Sequence, residues 1–129
     1  MTQILLIEPD KLLSNSYSKA LKSVGYEVDA AKGSQEAIYI ADKIKPDVVI
    51  LELQLISHSG IEFLYEFRSY PDWQDIPVLL HTNVPYVEIG DNWQYLNDLL
   101  GVKRYLYKPT TTLQDLIANV NQVFLNKNE

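Results

Sequence analysis

The side chains in this sequence that could do chemistry recur at one kind of place, just after short apolar runs. Glu8 and Asp10 follow Ile4–Ile7, and Glu52 follows Val48–Leu51. His81, Thr82 and Asn83 follow the run from Pro77 to Leu80, and Lys108 follows Tyr105–Tyr107. Three acids, a hydroxyl and an ammonium would form a polar crevice if one fold brought those run ends together. Each residue alone also has a plain structural reading. Asp10 could cap a helix, Thr82 could be a turn residue, His81 could belong to the strand end, and Lys108 could neutralise Glu52 in a static ion pair. Glu52 is the sharpest case, because a carboxylate at the end of a buried strand is costly unless a partner compensates it.

The elements that must position these residues alternate between two periodicities. Ile4–Ile7, Tyr26–Ala31, Val48–Leu51, Pro77–Leu80 and Tyr105–Tyr107 read as strands. Between them lie helix-spaced stripes: Leu13, Tyr17, Ala20 and Val24, stopped by Gly25; then Ala37, Ile40, Ala41 and Ile44, capped by Ser34 and closed by Pro46. A third stripe holds Ile61, Leu64 and Phe67 within Gly60–Arg68, and a fourth holds Trp93, Leu96 and Leu100, ended by Gly101. Thr111 with Gln114 predicts a capping box opening a last helix with Leu113, Leu116, Ile117, Val120 and Phe124 inward. Five βα units with near-continuous apolar strands predict an α/β fold with a parallel sheet covered on both faces. In such a sheet the carboxyl ends of the strands form the ligand crevice. Residues 1–125 are read as one domain and 126–129 as a polar tail that frays.

Composition removes several functions. The 129 residues carry a net charge of −6, and the basic residues are scattered, which argues against direct binding of nucleic acid. There is no cysteine, hence no disulfide, thiolate metal site or thiol nucleophile. No apolar run is long enough to span a membrane. The start, MTQILLIEPD, lacks a basic leader, so the expected location is cytoplasmic. The five glycines are dispersed, and no Gly-rich turn opens a helix, which argues against a nucleotide site of flavodoxin type.

The pieces ILLIEPD, PDVVILELQL followed by Gly60, IPVLLHT and GVKRYLYKP, in that order, resemble the receiver domain of two-component response regulators, most like the stand-alone chemotaxis type. The resemblance covers nearly the whole chain. It implies a flavodoxin-like sheet in the order 2-1-3-4-5, and a non-enzymatic switch that takes a phosphoryl group from a histidine kinase with the help of Mg²⁺. Residue by residue, it puts Glu52 at the phosphoacceptor position, where the family has Asp. Glu8 falls at the first acidic metal position, and Pro9, which offers no side-chain ligand, at the second. Thr82 takes the hydroxyl position, Lys108 the lysine position and Tyr105 the switching aromatic. The family also implies a cis Lys108–Pro109 bond.

The departures sit at the chemistry. Glu is longer than Asp by one methylene, which moves the carboxylate by about 1.5 Å. A misplacement of that size can cost about 10²-fold in a group transfer. Mg²⁺ demands near-ideal octahedral geometry, and Pro9 withdraws one ligand. The favoured reading is a degenerate, phosphorylation-independent receiver with no cofactor, which works by binding a signalling protein, either a kinase or an output protein, or a second copy of this chain. In it Glu52 reaches toward Lys108 and Thr82 as a permanent, imperfect stand-in for the phosphorylated Asp. The alternative is a working receiver that keeps a weak Mg²⁺ site through Glu8, Asp10 and Glu52. In receivers the output face is the fourth helix, fifth strand and fifth helix. Here the segment from Thr82 to Lys108 looks a few residues longer than the family pattern. Tyr95, off the apolar stripe and partly exposed, and Tyr105 are the expected anchors of that face.

Overall fold

A computed structural model describes residues 2–56 and 58–126. Five strands alternate with helices: β1 (Gln3–Ile7), α1 (Lys11–Ser23), β2 (Glu27–Ala31), α2 (Ser34–Lys43), β3 (Val48–Leu51), α3 (Gly60–Ser69), β4 (Val78–Thr82), α4 (Tyr86–Ile89), α5 (Asn92–Leu99), β5 (Val102–Tyr107) and α6 (Leu113–Asn126). Short 3₁₀ turns at Pro71–Trp73 and Lys108–Thr110 complete the chain. All neighbouring strands pair in parallel, in the order β2-β1-β3-β4-β5.

Side-chain alternation divides the core. Leu5, Ile7, Val49, Leu51, Val78 and Leu80 point to one face, where Ala37, Ala41, Phe63, Leu64, Phe67, Leu96 and Leu100 cover them from α2, α3 and the end of α5. Ile4, Leu6, Val48, Ile50 and Leu79 point to the other, under Tyr17 and Leu21 of α1 and Leu116, Val120 and Val123 of α6. Both faces are apolar because helices cover both, which is why the central strands read as unbroken hydrophobic runs. The chain reverses direction across the sheet between β1 and β3, so their carboxyl ends frame the crevice expected of this topology.

Several local expectations shift. The last helix opens one residue later than predicted, with the reciprocal box made by Thr112 and Asp115: the Asp115 amide donates to Thr112 Oγ1 and the Thr112 amide to Asp115 Oδ2, each at 3.0 Å. Thr111 is unavailable as the cap because its hydroxyl donates to the Tyr107 carbonyl at 2.7 Å. Gly33, not Ser34, is the N-cap of α2. Val24 and Ile44 lie past the last turns of α1 and α2 and are about half exposed, while Leu21 takes the buried place in α1. The predicted fourth helix, with Trp93 and Leu96, is α5, and a further short helix, α4, precedes it and ends at Gly90, which has φ +52°. α6 runs to Asn126, and residues 127–129 of the expected tail lie outside the described residues.

Candidate functional site

The parallel hydrogen-bond pattern continues one step past the strands and fixes the backbone of both crevice acids. The Glu8 amide donates to the Ala31 carbonyl at 2.9 Å, and the Glu52 amide to Ile7 at 3.0 Å. Gly60 holds the Glu52 side of the crevice in place. Its amide donates to Leu53 O at 2.8 Å, and a Cβ at residue 60 would sit 2.8 Å from both Glu52 O and Leu53 Cα. Only glycine allows the start of α3 to approach that closely.

Between the two acids stands Lys108. Its ammonium donates to Glu8 Oε1 at 2.5 Å and to Glu52 Oε1 at 2.6 Å. The second oxygen of each carboxylate turns to its own chain two residues on: Glu8 Oε2 accepts from the Asp10 amide at 3.0 Å, and Glu52 Oε2 from the Gln54 amide at 3.2 Å. All four carboxylate oxygens are thereby committed, and the three side chains are almost wholly buried. Burial opposes the charge on Glu52, but hydrogen bonds from Lys108, Thr82 and the Gln54 amide, with the nearby positive charge, outweigh it and hold its pKa below the ordinary value. Burial likewise opposes the charge on Lys108, and its bonds to Glu52 and Glu8 reverse the effect and raise its pKa.

Thr82, fully buried at the end of β4, accepts from the Val84 amide at 3.2 Å, and the carbonyl of the same Val84 accepts from the Tyr105 hydroxyl at 2.5 Å. One loop residue therefore joins the hydroxyl beside Glu52 to the aromatic ring on β5. Tyr105 packs edge-on against Tyr86 and Trp93, with ring centroids 5.2 and 6.2 Å away. Its ring sits inward against the core, and burial, followed by the Glu52 charge, pushes its phenol up to about 12. His81 is buried edge-on to Tyr17 with centroids 4.8 Å apart. Burial and the Lys108 charge lower its pKa to about 4, so it is neutral at pH 7.

The structure brings Glu8, Glu52, Thr82 and Lys108 together, with Tyr105 one loop residue away. Asp10 stays outside. It is exposed, and its carboxylate caps α1 by accepting from the Leu13 amide at 3.0 Å. Asn83 is exposed beyond the strand end. The Lys108–Pro109 bond is trans, against the expectation of cis. Pro109 lies in the 3₁₀ turn after β5, where its fixed φ suits a helical start, and that turn delivers the ammonium without a cis bond. Tyr95 is 41% exposed, as its position off the stripe implied, but its hydroxyl meets that of Tyr65 on α3 at 2.6 Å. The two expected anchors thus turn to different neighbours. Val84 and Gly60 were not singled out for roles in the crevice. The first acts through backbone atoms and leaves no mark in sequence, while the second is legible as a helix start and as part of the family resemblance, without its close approach to Glu52.

The same geometry tests the site against Mg²⁺. The position that should supply a second carboxylate is Pro9, Asp10 is occupied as a cap, and an ammonium already stands between the two acids that remain. No group of three or more ligand-type side chains among the described residues is arranged to hold a metal ion. The residues present do not fit an octahedral oxygen site.

The model of the response regulator receiver domain matches residues 4–121. The chain belongs to that family. Among relatives of this receiver, the virulence transcriptional regulatory protein PhoP of Salmonella typhimurium is 30% identical over 111 residues, covering 84% of this chain and 46% of that protein. The transcriptional regulatory protein TrcR of Mycobacterium tuberculosis is 36% identical over 67 residues, covering 52% of this chain and 26% of that protein. The receiver thus spans about half or less of the length of these relatives. In structure it is similar to the chemotaxis protein CheY4 of Vibrio cholerae, with a TM-score of 0.84, 24% identity and coverage of 95% of this chain and 98% of that one. It also resembles a receiver domain protein of Methanospirillum hungatei, with a TM-score of 0.86, 19% identity and coverage of 99% and 97%. Both likenesses concern the fold. No helix among the described residues is long and apolar enough to cross a membrane.

Proposed function

We propose that this receiver is degenerate: a signalling module whose switch is set by its own side chains and which acts through protein–protein contact without phosphorylation. The observation that carries the reading is the closed arrangement of Glu8, Lys108 and Glu52. Lys108 stands within 2.6 Å of both acids, and every carboxylate oxygen is engaged. A phosphoryl donor would have to displace a buried, hydrogen-bonded ion pair before Glu52 could attack. The Glu52 carboxylate instead presents a fixed negative charge to Lys108 and, through Thr82, to the loop that holds Tyr105. The inward Tyr105 is consistent with a switch already set. The partner is a signalling protein, a kinase or an output protein, bound at the face formed by α5, β5 and α6.

The test is intact-mass measurement after incubation with acetyl phosphate and Mg²⁺. The reading predicts no adduct on the native chain, and none on Glu52→Asp, since Pro9 still withholds a metal ligand. A phosphoryl adduct mapped to Glu52 overturns the reading and restores that of a working phosphoacceptor.

A further inference from the structure

Charge is unevenly distributed along this chain. Residues 46–102 hold nine acids and a single base, whereas the rest holds eight acids and ten bases. That single base, Arg68, feels the charge of Asp75 but spends its hydrogen bonds on backbone carbonyls. Its guanidinium donates to the carbonyls of Leu100 at 2.8 Å and Trp73 at 2.6 Å, and more weakly to Gln74 and Gly101 at 3.3 Å.

Within this acidic half an apolar groove of about 490 Å³ runs between α3 and the α4–α5 pair, lined by Ile61, Tyr65, Ile89, Asn92, Tyr95 and Leu96. α3 forms one wall, and α4 and α5, separated at Gly90, form the other. Tyr65 and Tyr95 are 51% and 41% exposed, and their touching hydroxyls bridge the two walls. Four exposed acids, Glu62, Glu66, Glu88 and Asp91, are chain neighbours of the lining residues, and of these Glu62 also meets the His58 ring nitrogen at 3.0 Å. Tyrosines at a groove supply large contact area at small entropic cost. The volume admits a few side chains rather than a whole helix, whose diameter is about 10 Å.

We propose that this groove docks a basic amphipathic segment of a partner protein, with an apolar stripe laid between α3 and α5 and Lys or Arg side chains meeting the acidic rim. Charge complementarity selects this occupant, since an acidic or neutral segment would leave the rim uncompensated. The proposal is independent of the crevice: groove and switch can fail separately.

The experiment uses the full chain, labelled for NMR, and a synthetic amphipathic helix of about five turns with a Leu stripe flanked by Lys. A control peptide carries Glu at every Lys position. Amide shifts are expected at Ile61, Tyr65, Ile89, Asn92, Tyr95 and Leu96, with none from the Glu peptide. Binding should weaken at least about fivefold in Tyr65→Ala and in Ile89→Ala, and a similar loss is expected for Glu66→Gln with Glu88→Gln. It should be unchanged in Leu12→Ala, whose side chain is exposed on α1. Spectral dispersion confirms that each variant is folded. Shifts that map outside the groove, equal binding of the Glu peptide, or binding indifferent to Tyr65→Ala and Ile89→Ala would each overturn the proposal. So would concentration-dependent self-association in sedimentation equilibrium that Tyr65→Ala abolishes, which would assign the groove to a second copy.

Discussion

At Lys108 one ammonium answers two buried carboxylates, so the three residues are not equivalent in what their loss should cost. Replacing Lys108 by Met leaves two uncompensated charges in the crevice, and breaking a buried pair in this way costs about 3–5 kcal/mol. Glu52→Gln leaves the Lys108–Glu8 pair one to one and should cost clearly less. Urea denaturation of the two variants orders them, and a Lys108→Met protein as stable as the native chain would contradict the assignment of charges. The pH dependence has two signs. His81 is held neutral in the fold down to about pH 4, while in the unfolded chain it takes a proton near its ordinary value of 6.5. The unfolded state therefore binds more protons between those values. Stability should fall as pH drops from about 6.5 to about 4, by about 3 kcal/mol in all. A His81→Phe variant should lose that slope. Glu52, with its depressed pKa, adds a further loss only below the usual carboxylate range. Lys108 acts at the other end: its raised pKa means that its contribution is complete below 10.5 and is lost as pH rises through the folded value.

At the amino end of β5, opposite the crevice, the Arg68 side chain packs closely on Gly101. Gly101 has φ +66°, and a Cβ there would lie 2.6 Å from the Arg68 guanidinium that ties α3 to the end of α5. Gly101→Ala combines a strained backbone with that clash and should destabilise by about 2–3 kcal/mol in chemical denaturation. Thr112→Ala removes the cap of α6 and should cost about 1 kcal/mol, with Thr112→Ser restoring most of it. These devices mark where sequence reading stops. The alternation of apolar strands and helical stripes is imposed by burial on both faces, so Ile4–Ile7 and Val48–Leu51 were legible as strands, and the strand-end residues Glu8, Glu52, Thr82 and Lys108 as neighbours. The choice between Thr111 and Thr112 as cap depends on whether a hydroxyl is already spent on the Tyr107 carbonyl, which only the folded turn decides. Asp10 had two readings from sequence, and the Leu13 amide chooses the cap. The meeting of Tyr65 and Tyr95 joins residues 30 apart on two different helices, α3 and α5. No periodicity encodes that contact.

Under the proposed function, the path across the whole molecule from the crevice to the face around β5 is set without a phosphoryl group. Glu52 and Lys108 are locked together at one end, Thr82 and Tyr105 share Val84 in the middle, and Tyr105 lies among Tyr86 and Trp93 at the other end. A receiver that awaited phosphorylation would populate two arrangements of this path and shift between them on modification. A set one has a single arrangement and no response. The direct measurement is the NMR spectrum of the labelled chain, recorded before and after acetyl phosphate and Mg²⁺ are added. Nuclear Overhauser contacts from the Tyr105 ring to the Trp93 and Tyr86 rings report the arrangement. These contacts are expected from the start, and the Thr82, Val84 and Tyr105 amide signals are expected not to move on addition. Absence of the ring contacts at the start, or amide shifts through Thr82, Val84 and Tyr105 together with a mass gain on Glu52, would contradict the proposed function.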